Sequence, residues 1–211
     1  MKHESLFHHQ HCRPLILLGL ALLAAGCART VPVAYYQLSA KVTGKTAMDA
    51  AAIDDRVIGI GPIQLPERLD RQQIITRMDA NRLQLSDGHR WIEPLAENIA
   101  QVLRKNLSVL LETERFRAYP WSRSAPVDYQ LIVEVVRFEG EGYEAANLET
   151  VWSIQDGAGK ILLAAQRSGY QSQTPTPDHE GVVSALSETL NLFCREIAQE
   201  LLIIAAEAGR E

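Results

Sequence analysis

The chain is poor in cysteine, with three in 211 residues, and it has no long apolar run. Its oiliest stretch, Leu15 to Gly26, is twelve residues. A helix crossing the hydrocarbon core needs about 20, so this stretch is too short to be a membrane span. A basic patch is missing as well. Lys and Arg total 21 against 26 Asp and Glu, giving a net charge of −5 with no Lys/Arg-rich tail. Binding to phosphate backbones needs clustered cations, which argues against nucleic acid as a partner. Phosphate-cradling loops are lacking too. In GIGP, Gly59 to Pro62, Gln64 stands where the dinucleotide fingerprint G-x-G-x-x-G has its third glycine. Pro62 also has no N–H to offer a phosphate. GIGP therefore reads as a strand end that turns sharply. There is no P-loop lysine motif, so any ATPase that works with this protein is another chain.

The start of the chain carries Lys2 and Arg13, then the apolar Leu15 to Leu23, then Ala24, Ala25, Gly26 and Cys27. A basic start, an apolar centre of about 7–15 residues and a small-residue cleavage site make a secretory signal. Ending on cysteine, it resembles the bacterial lipoprotein signal. Such a signal is cut before the cysteine, which then carries diacylglycerol on its thiol and an N-acyl chain. The one departure is Ala24 at a place that usually holds Leu; Leu23 lies one step further back. The expected layout is a signal peptide over 1–26, the lipidated Cys27 with a short tether over 27–33, and a single domain over 34–211. Removing Lys2, Arg13 and Glu4 leaves the mature chain one charge more negative than −5. Several acyl chains on one residue anchor firmly without a basic patch. Cys12 is lost with the signal and Cys27 is taken by lipid. Cys194 is then the only free thiol, no intramolecular disulfide can form, and stability must come from core packing. His8, His9, His11 and Cys12 offer zinc-type donors, but all four lie in the segment to be removed.

The mature chain opens on AYYQLSA, a strand from Ala34. Residues 41–55 are small and polar and read as a loop. RVIGIGPIQLP is a β-branched run, and QQIITRM and NRLQLSD alternate with period two around Asp79–Asn81, as a hairpin does. From Trp91 to Leu111, Ile92, Leu95, Ala96, Ile99, Val102, Leu103, Leu107 and Leu110 recur at steps of three and four, which makes a helix with one buried stripe. Pro94 fits its first turn. Asn106 lies in the apolar arc as a core-edge amide bonded to a neighbour. RFRAYPW, YQLIVEVVRFEG, YEAANLETVWSIQ and KILLAAQRSGYQSQ read as four strands, with short Gly-rich links suited to hairpins. In the first long one, Tyr129, Leu131, Val133 and Val135 share a face, and Ile132, Val136 and Phe138 the other, so the sheet is partly covered on both sides or meets another subunit. A last helix is capped by Thr176, with Pro177 at its first position and Asp178 and Glu180 at its positive end. Val182, Leu186, Leu190, Phe193, Ile197, Leu201 and Ile204 form its stripe, and Cys194 flanks it as a small buried hydrophobe. The fold class is α+β: a two-layer domain with a mixed, mostly antiparallel sheet and two main helices on one face. Whether strands near the first helix pair in parallel is left open.

Two histidines survive processing. His89 sits in DGHRW, a loop before the first helix, and His179 in the first turn of the last one. Neither lies in a nucleophile signature such as G-x-S-x-G, and each reads as a solvated surface residue. The unusual segment is LPERLDRQQIITR, Leu65 to Arg77. It is dense in Arg and Asp yet keeps Leu65, Leu69, Ile74 and Ile75. It reads either as a solvated loop crossing a sheet edge with Leu69 tucked in, or as an interaction segment. Arg71 and Arg77 have planar forks suited to carboxylates.

YYQLSA, IGIGPIQLPERLDRQQIITR, RWIEPLAENIAQVLRKNLSVLL and YPW resemble the PqiC family of ABC-type transport auxiliary lipoproteins, over roughly Tyr35 to the last helix. The match is weak after Gln130. The resemblance implies an outer-membrane lipoprotein facing the periplasm, not an enzyme and without a cofactor beyond the acyl groups on Cys27. It implies partnership with MCE-domain proteins and inner-membrane components in moving lipid between membranes or preserving envelope integrity. It also implies a homo-oligomer, in related proteins a ring. Ala28 rather than Asp after the cysteine agrees with outer-membrane sorting. The residues it marks for partner or oligomer contact are Leu65, Pro66, Leu69, Asp70, Arg71, Arg77, Trp91 and Pro94. The alternative reading is a periplasmic lipid carrier, which needs an apolar cavity of several hundred cubic ångströms. The least favoured is a hydrolase using His89 or His179.

Overall fold

The structure, a computed structural model, describes residues 32–42, 44, 53, 55–122 and 124–210. Cys27, the signal peptide, the N-terminal His/Cys cluster and most of the loop expected over 41–55 lie outside them. Val33–Glu211 forms one compact unit. In chain order its elements are β1 (Ala34–Tyr36), β2 (Ile58–Gln64), β3 (Gln73–Arg77), β4 (Leu83–Trp91), α1 (Leu95–Leu111), β5 (Phe116–Ala118), β6 (Tyr129–Glu141), β7 (Ala145–Asp156), β8 (Ile161–Gln173) and α2 (His179–Ala208). Among the described residues the strands make one 8-stranded sheet on which α1 and α2 pack, the expected α+β architecture.

β6 is the spine of that sheet. One of its edges runs antiparallel to β7, and β7 runs antiparallel to β8. Its other edge is shared. β2 lies parallel to its first half, as far as Gln64↔Glu134, and carries β5 beyond it. β3 lies parallel to its end, from Thr76↔Gly140, and carries β4 and then β1. The sheet therefore forks between Glu134 and Gly140. The long pairings are antiparallel, and the short ones at the fork and the outer edges include the parallel ones that the sequence left open.

A β-bulge at Val136, between Val135 and Arg137, decides what each face of β6 carries. Side chains alternate with period two, so one extra residue exchanges the faces beyond it. Tyr129, Leu131, Val133 and Val135 are buried as expected. Past the bulge Phe138 and Gly140 take over the core face, and Phe138 is buried rather than sharing the outer side with Ile132 and Val136. A Cβ on Gly140 would come within 2.9 Å of Val182, so α2 crosses the sheet closely at that point. The same bulge turns Arg137, Glu139 and Glu141 to the other face.

The helices follow their apolar spacing. α1 buries Ile99, Val102, Leu103, Leu107 and Leu110. Its N-cap is Pro94, one residue outside the first turn, and Ile92 before it is 56% exposed instead of joining the stripe. α2 is capped by Asp178, not Thr176. The Asp178 carboxylate accepts the Gly181 N–H at 2.8 Å, and the Thr176 hydroxyl donates to it at 2.9 Å. In α2 the stripe from Val182 to Leu201 is buried, and Ile204 is half-buried. Phe193 meets Trp152 edge-on at 5.7 Å. Cys194 is fully buried beside it, and burial pushes its thiol up to about 12.

β4 extends through Asp87–Trp91, which the sequence presents as a loop. The Asp-Gly signal is overridden because Ala34–Tyr36 pairs with His89–Trp91 in parallel. Beyond β1 the chain runs over both helices as a strap without secondary structure, so its N–H groups need other acceptors. The Leu38 N–H donates to Asn98 Oδ1 at 2.8 Å, the Ser39 N–H to Ser187 Oγ at 3.1 Å and the Lys41 N–H to Asn106 Oδ1 at 3.1 Å. Asn106 is thus the bonded core-edge amide its position suggests. Each such bond contributes about 1 kcal/mol net. Together they tie the chain leaving the predicted tether to α1 and α2.

Candidate functional site

The Leu65–Arg77 segment closes the fork in the sheet. Leaving β2 at Gln64, the chain crosses to β3 and drops Leu69 into the core at 1% exposure. The Arg68 guanidinium donates to the carbonyl of Val136, the bulged residue. Leu65 and Pro66 line a small cleft of about 250 Å³ against Val135 and Val136. Asp70 and Arg71 point to solvent at the crest, and their side chains find no partner among the described residues.

The other predicted contact residues are not gathered there. Arg77 reaches across to β6, where its Nε donates to Glu139 Oε1 at 2.5 Å. Arg137 donates to the same oxygen at 2.8 Å, while Oε2 has no partner. Glu139 is wholly buried, and the two guanidiniums covering it are about a quarter exposed. Arg137 also approaches Glu141 and Glu149, each at 3.8 Å. This ion cluster fastens the end of β3 to β6. Trp91 is buried against Phe138, with ring centroids 6.5 Å apart, and Pro94 is exposed at the head of α1. Arg77, Leu69 and Trp91 therefore act on any outer surface through the backbone they hold, whereas Asp70, Arg71 and Pro94 are themselves accessible. Cys27 lies outside the described residues.

GIGP gains a role its sequence did not announce. A Cβ on Gly59 would stand 2.5 Å from the Trp121 ring, and one on Gly61, whose φ is +113°, would stand 2.8 Å from Tyr119. The glycines of β2 make room for the aromatics of YPW, which meet each other edge-on at 5.5 Å. β2 then shifts register against β6 between Ile60 and Ile63, where Pro62 has no N–H for the ladder. Between this kinked edge, β5 and α1 opens a cleft of about 530 Å³. Its apolar wall includes Pro62, Ile63, Ala96, Ala100 and Tyr119. Arg104 from α1 and Arg117 from β5 both line it, and neither forms an ion pair or hydrogen bond among the described residues.

The two histidines are not solvated surface residues. Although 90 positions apart in the chain, they stack with ring centroids 3.7 Å apart and planes 5° from parallel. β4 brings one and the first turn of α2 the other. The Tyr36 hydroxyl meets His89 Nδ1 at 2.8 Å. His179 Nε2 is shared by the hydroxyls of Ser86, at 2.6 Å, and Tyr143, at 3.2 Å. Burial, and then the His89 ring, lowers the pKa of His179, partly offset by Asp178. Burial, reinforced by Asp178 and Glu180, raises that of Tyr36. A Ser–His contact invites a hydrolase reading, but a triad also needs an acid orienting the far imidazole nitrogen. Asp178 instead commits its carboxylate to capping α2, and Ser86 is 6% exposed. Among the described residues no three His, Cys, Asp or Glu side chains converge to hold a metal ion. The pair ties β4 to the start of α2.

Residues 36–198 match the family described as ABC-type transport auxiliary lipoprotein component, and the chain belongs to that family, the PqiC type that its motifs resemble. Two solved structures share the fold. One is a Xanthomonas campestris protein classed as DUF330, 17% identical with TM-score 0.70, covering 84% of this chain and 100% of its own. The other, a crystal structure of an uncharacterized protein, is 17% identical with TM-score 0.66, covering 81% of this chain and 99% of its own. No curated protein matches the chain.

Proposed function

We propose that this protein is an outer-membrane lipoprotein, held by acyl groups on Cys27 and facing the periplasm. It serves as a docking or scaffold subunit of an MCE-type or ABC-type system that moves lipid between membranes or keeps the envelope intact. The family match over residues 36–198 carries this reading. The lipoprotein-type signal ending at Cys27 and the absence of a lysine-bearing phosphate loop from the sequence agree with it. The partner is an MCE-domain protein with its inner-membrane components, and the working form is a homo-oligomer, as the family resemblance implies. No chemistry is assigned to the domain itself.

The docking surface is the crest of the Leu65–Arg77 segment. Asp70 and Arg71 are exposed there without intramolecular partners among the described residues. Both stand on a turn held by the Leu69 and Asp70 N–H groups on the Pro66 carbonyl, with Leu69 anchored in the core. The crest is thus presented rigidly, and its charges are free for a partner of complementary sign.

The test is affinity capture from solubilised membranes of wild type and of the Asp70→Ala/Arg71→Ala variant. The variant should fold normally, since surface changes of this kind stay within about 0.5 kcal/mol. It should lose most of the co-purifying MCE component or shift to a smaller oligomer. Unchanged partner recovery together with unchanged oligomer size would remove the crest from the interface.

A further inference from the structure

We infer that the cleft between α1 and the β2–β5 edge binds one single-chain anionic lipid, a long-chain carboxylate. The reason begins with α1. Its core face carries leucine, isoleucine and valine, but on the side turned to Pro62 and Ile63 the apolar residues are only the alanines at positions 96 and 100, beside Glu97, Gln101 and Arg104. Two small residues one turn apart, opposite a strand kinked by Gly61 and Pro62, leave a space that nothing in the described chain fills. At about 30 Å³ for each water-sized group, 530 Å³ holds roughly 18 of them. That matches one acyl chain with its head.

Charge selects the head group. Arg104 and Arg117 approach from the helix wall and the strand wall, and neither is neutralised within the described residues. The opposing charge in the lining is Glu97, two turns before Arg104 and so about 10 Å away along the helix axis. Two guanidinium forks beside an apolar wall are the donor set for a carboxylate carried on a hydrocarbon tail. The half-exposed Tyr119 ring at the rim gives that tail a further apolar contact. This occupancy rests on the cleft, not on the transport role, so it can stand where the partner capture above fails, and the reverse.

The experiment uses the full chain in lipid nanodiscs with a diazirine-bearing palmitate, located by peptide mass spectrometry after illumination. Labelling should fall on the peptides carrying Ala96–Arg104 and Tyr119, saturate, and be displaced by palmitate but not by a hexadecyl-trimethylammonium salt. Arg104→Ala and Arg117→Ala should each weaken binding about tenfold, the scale of one lost charge-assisted hydrogen bond. Ala100→Leu, which adds three carbons to the helix wall, narrows the cleft and keeps both arginines, should also weaken binding while the circular dichroism stays native. Labelling dispersed over the surface, equal competition by the cationic analogue, or indifference to all three substitutions would overturn the proposal. So would an acidic partner peptide cross-linked in the cleft that palmitate fails to displace, which would make the groove a protein-docking site instead.

Discussion

The cluster joining Arg77, Arg137 and Glu139 is open to a quantitative test, because one fully buried carboxylate oxygen receives both guanidiniums, at 2.5 and 2.8 Å. Stripping a buried ion of all its partners costs about 3–5 kcal/mol, since the remaining charge can neither reach water nor find a substitute. Removing one arginine leaves the other in place. Arg77→Ala keeps the Arg137 contact and Arg137→Ala keeps the Arg77 contact, so each loses one charge-assisted hydrogen bond to Glu139, about 1.5–3 kcal/mol, together with weaker outer contacts, from Arg77 to the Ala80 carbonyl and from Arg137 to Glu141 and Glu149. The arginines are partly exposed and re-solvate when freed, which sets the single costs at the lower end of that range. The double variant strands Glu139, whose second oxygen already lacks a partner. It should lose about 1–2 kcal/mol more than the two singles added together, a coupling measurable by a double-mutant cycle. The assay is urea unfolding of wild type, both singles and the double, followed by circular dichroism, with the denaturant slope compared across all four. Additive losses, with the double no larger than the two singles summed, would mean that water reaches Glu139 and that the cluster does not hold β3 on β6. Arg77 would then be available as a direct contact residue rather than one committed to the fold.

Two further outcomes follow from buried titratable groups. Iodoacetamide at pH 8 should leave Cys194 unmodified in the folded chain and alkylate it after denaturation, because burial pushes its thiol up to about 12; ready labelling of native protein, read by peptide mass spectrometry, would show that this face of α2 is open. His179 is held below its ordinary value of 6.5 by burial and by the His89 ring, so on acidification the unfolded chain takes up its proton first. Stability should be complete above about pH 6.5 and decline below it towards the folded-state pKa, with Tyr36, Ser86, Tyr143 and Asp178 facing the pair. A His179→Gln variant should flatten the decline in urea midpoints between pH 7.5 and 5.5, and an unaltered slope would place the titration elsewhere.

Much of this architecture was legible because its signals are local. α1 and α2 announce themselves by apolar residues at steps of three and four, and the β6–β7 and β7–β8 hairpins by glycine-bearing links of a few residues. Other features depend on partners far along the chain. Asp87-Gly88 is a sound turn signal, and it gives way only because Ala34–Tyr36 supplies a strand for His89–Trp91 to pair with. The bulge at Val136 has no local mark, since Val135, Val136 and Arg137 all suit an extended strand. Yet it turns Phe138 inward and places Glu139 under two arginines. Thr176 and Asp178 are both good helix caps two residues apart; the geometry makes the first serve the second.

The candidate sites divide along the same line. The crest at Asp70 and Arg71 could be read from charge density interrupted by a buried leucine, because both the anchor and the display lie within three residues. The cleft could not, because its walls come from Gly61–Ile63, Ala96–Arg104 and Arg117–Tyr119, three stretches whose separate patterns say only strand end, helix and short strand. What links them is size complementarity. The glycines of β2 accept the aromatics that follow β5, the resulting kink carries the β2 edge past α1, and alanines on α1 leave the gap unfilled. A binding surface built from small residues emits no chemical signature in a sequence. It becomes visible only when the large neighbours that fail to fill it have been placed, and two unpaired arginines on its walls then indicate what kind of molecule does.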